Sequence, residues 1–127
     1  MPLSLQLIPG EFAVCRLPAS EPVPAWTGSS VFSSVTRTAD ELSVICPAAQ
    51  VPAGVKHEAG WRLFKFQGPF AFTETGILAA VLAPLAAAKI SILATATFET
   101  DYLLVKAERL ADVHRVLEAA GHTVKPA

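Results

Sequence analysis

From Trp61 onward the hydrophobic pattern changes period in a definite order, and that order narrows what the chain can fold into more than any other feature. Trp61 to Gln67 alternates, with Trp61, Leu63 and Lys65 on one face and Arg62, Phe64 and Phe66 on the other. Alternation marks a strand, and apolar side chains on both faces mark a central one. Gly68 to Phe72 reads as a loop. In Gly76 to Ala88, the residues Ile77, Val81, Leu85 and Ala88 fall on one helical stripe, with Leu78 and Leu82 beside it. Thr73 or Thr75 is placed to cap this helix. Pro84 removes one of its backbone hydrogen bonds, so a kink or an irregular last turn is expected. Ile90 to Ala96 is a strand, Thr97 to Asp101 a tight connector, and Tyr102 to Lys106 the next strand. Glu108 to Ala120 is amphipathic through Leu110, Val113 and Leu117, and Gly121 stands where a helix C′ glycine belongs. His122-Thr123-Val124 can add a closing edge strand.

The second half therefore reads β-α-β-β-α-β, the split βαβ pattern of ferredoxin-like folds. The first half is strand-rich. Leu3 to Leu7 alternates, Pro9-Gly10 is expected to turn the chain, and Phe12 to Leu17 follows as the second arm of a hairpin. Pro18, Pro22 and Pro24 exclude a long helix before Ser30. Val31 to Thr36 and Leu42 to Cys46 are strand-like. Between them, Thr38-Ala39-Asp40-Glu41 carries a capping-box signature with room for a short helical turn. Pro47 to Gly60 is a connector.

The chain has 127 residues, 52% of them hydrophobic and 17% charged, so it has the means to build a core;. No apolar run reaches the ~20 residues needed to span a bilayer. Ten basic residues stand against eleven acidic ones without a basic run, which argues against nucleic acid;. The first residues lack the basic flank and long apolar core of a signal peptide, so cytoplasmic residence is expected. Cys15 and Cys46 read as buried free thiols. His57, His114 and His122 have no metal-ligand spacing with each other or with the cysteines, so no metal is expected. There is no nucleophile elbow, no phosphate-cradling glycine loop and no His-Glu-x-x-His, so the reading is non-enzymatic, with no cofactor.

Several segments carry a resemblance to a known family. They are 68–78, with Phe70, Glu74, Thr75, Gly76, Ile77 and Leu78; 85–92; 96–105, with Thr97, Phe98, Glu99, Thr100 and Asp101; 117–122; and, in the first half, 32–38 and 41–44. Together they resemble an ACT domain, a small ligand-sensing module of amino-acid metabolism. The likeness is to a bacterial branch of small tandem ACT proteins, related in fold to the ACT modules of a cytosolic arginine sensor. Ala96 and Glu74 depart from the branch, which tends to have serine and an apolar or small residue there. The resemblance implies an α+β fold of two ferredoxin-like (βαββαβ) ACT-type modules. Residues 1–56 would be a degenerate module, strand-rich with reduced helices, and residues 57–127 the complete one.

ACT modules typically bind an amino acid where the first helix of one module meets its neighbour. On that basis Glu74, Thr75, Gly76, Ile77, Leu78, Thr97, Phe98, Glu99, Thr100 and Asp101 form the expected ligand site. The physics of these residues agrees. The amides that begin the helix lack intrahelical acceptors and suit a carboxylate. Glu99, Asp101 and Glu74 can hold an ammonium or a basic side chain. Phe70, Phe72 and Phe98 can wall an apolar pocket. The plain alternatives are turn acids, a packing glycine and core aromatics. The function expected is a non-catalytic, amino-acid-binding regulatory protein acting as a homodimer or through a partner. A structural or protein-interaction module without a small ligand is the alternative.

Overall fold

The computed structural model describes residues 2–127 of the chain. Its strands are β1 (Ser4–Leu17), β2 (Ser34–Arg37), β3 (Leu42–Pro47), β4 (Lys56–Phe66), β5 (Ile92–Ala96), β6 (Asp101–Lys106) and β7 (Thr123–Lys125). Its helices are α1 (Ile77–Ala87) and α2 (Leu110–Ala119), with single 3-10 turns at Ala25–Thr27, Ala48–Gln50 and Ala107–Arg109. The contacts divide the chain into two compact units. One is Arg62–Ala127 together with the chain's start up to Pro9, and the other is Gly10–Trp61. The division falls inside two strands, β1 and β4.

In the first unit the strands run β7-β1-β4-β6-β5. The β-α-β-β-α-β order expected from Trp61 onward is present, but the start of β1 lies between β4 and β7. Ser4, Leu5 and Gln6 pair in parallel with Thr123, Val124 and Lys125. β5 and β6 form an antiparallel hairpin from Ile92↔Val105 to Ala96↔Asp101. Both helices contribute to one core: Ile77, Val81 and Leu85 of α1 and Val113 and Leu117 of α2 pack with Leu5, Phe64, Phe66, Leu103 and Val105 of the sheet. These are the stripe positions read from the sequence, at spacings of three and four on the helices and two on the strands.

Both helices end in Schellman motifs. After α2, Gly121 takes φ 93°, its N–H donates to Glu118 O, and the His122 N–H donates to Leu117 O at 3.0 Å;. After α1 the same two bonds run from Lys89 to Ala86 and from Ile90 to Leu85, but the left-handed residue is Lys89, at φ 59°. Ile90 and Leu85 share the core, as the hydrophobic contact of the motif requires;. Pro84 sits inside α1 and is accommodated there.

In the second unit the order is β2-β3-β1-β4, and no α-helix occurs among its described residues. Pro9-Gly10 does not turn the chain. β1 runs on through it, because Gly10 at φ 95° absorbs the irregularity;. Beyond it Phe12–Leu17 pair antiparallel with Pro47–Leu42. The capping-box sequence starts no helical turn either. The Thr38 hydroxyl accepts from the Asp40 and Glu41 amides, and the Thr38 N–H donates to Glu41 O, closing a β2–β3 hairpin on the Arg37↔Leu42 pair. A threonine can cap a tight turn as readily as a helix start. The proline-rich segment is pinned from outside itself: Arg37 donates to Ala19 O and Glu21 O, and the Gln50 amide to Trp26 O and Gly28 O.

Cys15 and Cys46 lie side by side in the core of this unit with Ala13 and Val44. Burial pushes the Cys15 thiol up to about 11, with Cys46 adding to the effect. Burial also raises Cys46, and its contact with Cys15 offsets part of the rise. The thiols are therefore protonated and shielded in the native state.

Two predictions follow from these features. Lys89→Gly relieves a left-handed position at a helix end and is expected to raise stability by about 0.5–1 kcal/mol, read as a higher urea midpoint. For the thiols, the folded pKa lies above the unfolded value near 9. The stability that Cys15 contributes is complete below that value and is lost as the pH rises from about 9 through about 11;. Cys15→Ala should flatten that alkaline decline in a pH series of denaturation curves.

Candidate functional site

The loop after β4 and the connector between β5 and β6 are tied to each other by backbone and buried side-chain bonds. The Phe70 N–H donates to Glu99 O at 3.0 Å. The Thr100 hydroxyl, buried, donates to Phe66 O at 2.7 Å. Within the connector both the N–H and the hydroxyl of Thr97 reach Thr100 O, which closes the hairpin. Gly68 allows this close approach, since a Cβ there would meet the Phe70 nitrogen at 3.1 Å and Glu99 O at 3.3 Å.

Between these segments and the start of α1 lies a cleft of about 310 Å³. Of the residues expected from sequence, Glu74, Gly76, Ile77, Leu78, Thr97, Phe98, Glu99, Thr100 and Asp101 line it, and Thr75 does not. Ala71, Ala79 and Ala96 also line it. In the sequence Ala96 stands out only as a departure from the branch, and the small side chains of Ala71 and Ala79 give no signal of their own, although Ala79, three residues after Gly76, belongs to the same helical turn.

The helix start differs from the expected threonine cap. Gly76 is the N-cap residue, left-handed at φ 78°, and no side chain caps the helix. A threonine there would be strained at this φ, and it is Gly76 whose carbonyl receives the Ala80 N–H at 3.0 Å;. The first-turn amides consequently have neither an intrahelical acceptor nor a side-chain cap, and they carry the positive end of the helix dipole. Glu74 does not reach them; its carboxylate accepts from the Ala71 N–H at 3.0 Å and folds its own loop.

Glu74, Glu99 and Asp101 bring three carboxylates to the lining, which holds no lysine, arginine or histidine. At the rim Phe72 and Phe98 meet edge to face, centroids 5.1 Å apart, and are 77% and 80% exposed. Phe70 also lines the cleft and packs against the core from there. Across the connector, a smaller recess of about 70 Å³ is lined by Lys65 and Gln67 together with Glu99 and Thr100. Among the described residues no cluster of His, Cys, Asp and Glu is arranged to hold a metal ion, and no helix is long and apolar enough to cross a membrane.

Comparison with known proteins places this geometry. A model of the ACT domain matches residues 56–119, and a model of an N-terminal domain matches residues 10–54. The chain belongs to the ACT-domain family. Its fold superposes on the crystal structure of protein Atu0741 from Agobacterium tumefaciens with a TM-score of 0.95 and 42% identity, covering 100% of this chain and 95% of that one. The human protein named cytosolic arginine sensor for mTORC1 subunit 1 is 41% identical over 59 residues, which are 46% of this chain and 18% of that protein. The chain thus spans 18% of the length of the curated relatives it matches. The fold is also that of the regulatory subunit of aspartate kinase from Thermus thermophilus, at a TM-score of 0.60 with 10% identity over 91% of this chain and 93% of that subunit.

The tie between connector and strand is open to a direct test. Thr100→Val keeps the shape of the side chain and removes the donor to the Phe66 carbonyl. A loss of about 1–2 kcal/mol in unfolding free energy by urea denaturation is expected.

Proposed function

We propose that this protein is a non-catalytic regulatory module that binds an amino acid in the cleft between α1 and the β5–β6 connector. The observation that carries the reading is the division of charge along the lining. An uncapped helix start suits a carboxylate at one side, and Glu99 and Asp101 suit a cation at the other;. A free α-amino acid has both groups on one carbon. The absence of basic side chains from the lining and the likeness to a protein named as an arginine sensor favour a basic amino acid, with arginine first.

The same reading takes the second unit as a degenerate ACT-like module and the working protein as a cytoplasmic homo-oligomer. On this reading binding acts through assembly or a partner, by favouring whichever state holds the ligand better. The exposure of Phe72 and Phe98 favours a second reading, an interaction module whose rim meets another protein chain with no small ligand;.

Thermal unfolding against the twenty amino acids at millimolar concentration separates the two. A ligand at a hundred times its Kd stabilises by about 2.7 kcal/mol. A shift of the midpoint by about 2–8 °C with one of them is expected, with L-arginine the first candidate, and Asp101→Asn should abolish it. No shift with any of the twenty would transfer the weight to the interaction module.

A further inference from the structure

Pro84 has no N–H to give to the carbonyl four residues back, which is that of Ala80. That carbonyl is nevertheless paired. The His122 Nε2–H donates to Ala80 O at 2.9 Å. The other ring nitrogen, Nδ1, accepts from the Leu3 N–H at 3.1 Å. A carbonyl only accepts and an amide N–H only donates, so the two bonds together define a neutral ring with its proton on Nε2. His122 is 4% exposed, and its two partners, Leu3 and Ala80, are half-buried.

Ala80 directly follows the residues of α1 that line the cleft, Ile77, Leu78 and Ala79. Its own N–H closes the first turn of α1 on Gly76 O. We infer that His122 is the positioning residue of the cleft's helix, giving Ala80 the hydrogen bond that Pro84 cannot and so holding the first turn of α1 where its amides face the cavity. Its consequence for binding rests on the ligand reading above; the bond and its effect on the helix do not.

Two substitutions separate the two bonds. His122→Asn keeps an acceptor near the Nδ1 position and loses the reach to Ala80, whereas His122→Gln keeps a donor near the Nε2 position. Pro84→Ala restores the missing backbone donor. The measurement is amide hydrogen exchange at Ala80 and Val81 in the full chain, with L-arginine affinity as a second readout. His122→Asn is expected to speed exchange at these amides by about tenfold, the factor of one net hydrogen bond. His122→Gln should stay close to wild type, and Pro84→Ala should suppress most of the Asn effect. Arginine affinity should fall in His122→Asn and return in the double variant. Should His122→Asn fold only in the Pro84→Ala background, that is the same result in stronger form. Equal effects of Asn and Gln, an Asn effect unchanged by Pro84→Ala, or failure to fold in both backgrounds would overturn the proposal. If wild type binds no arginine, the consequence for arginine binding is overturned, and the exchange pattern alone upholds or overturns the role of His122.

Discussion

A proline in the middle of a short helix leaves one carbonyl without its donor, and the first unit of this protein is arranged around the repair. An unpaired buried carbonyl costs about 1–3 kcal/mol, a large share of what a domain of this size has to spare. The His122 ring fills the gap at Ala80, and its opposite nitrogen takes the Leu3 N–H. Gly121 makes this possible. Its left-handed turn ends α2 and delivers the next residue beneath α1. The entry of β1, the body of α1 and the end of α2 thus meet at one imidazole, whose single proton must sit on Nε2 for both bonds to exist.

That anchoring sets the character of the cleft. Its inner wall is stiff: α1 is held by core residues and by His122, and the connector is held to β4 by the Thr100 hydroxyl and to the loop by the Phe70 amide. Its rim is not. Phe72 and Phe98 are largely open to solvent and contact each other, an arrangement worth about 0.5–1.5 kcal/mol beyond the area buried;. A rigid floor that presents fixed amides and carboxylates beneath an adjustable rim is the usual way in which loops on a stable scaffold carry binding.

Much of this was legible in the chain because the signals are local. Helical stripes, strand alternation and the glycine after α2 depend on neighbours within a turn or two, and they placed α1, α2 and the β5–β6 hairpin. The gathering of Gly76, Ile77 and Leu78 with Thr97 to Asp101 came from the resemblance and from the order of elements. What escaped was ambiguous locally or distant in sequence. Thr38 and Glu41 satisfy a helix start and a hairpin turn equally well, and the short span between two strands decides for the hairpin. Pro9-Gly10 reads as a turn, but β1 changes pairing partner along its length, from β7 to β3, and so continues. Thr73 and Thr75 have the chemistry of a cap, but the chain enters α1 through a left-handed residue that only glycine adopts freely. The role of His122 was hidden for a simpler reason: one of its partners lies 119 residues away.

The segment that matches the ACT family is not the whole of the first unit. The match runs over residues 56–119, yet the core of the first unit includes Leu5 and Val124, fully or nearly buried on either side of that range. β7 pairs with the start of β1, not with β4, so it has no place in the sheet without the other end of the chain. His122, which completes α1, is also outside the match, as is the Gly121 turn that delivers it. The residues that give the family its recognisable order thus describe the cleft. Some of the residues that hold the cleft's helix in position, Leu5, His122 and Val124, come from the two ends of the chain, and the second unit is built from what lies between Gly10 and Trp61. An ACT unit of this kind is discontinuous in sequence, and its cleft-lining helix answers to contacts that a segment-by-segment reading assigns to something else.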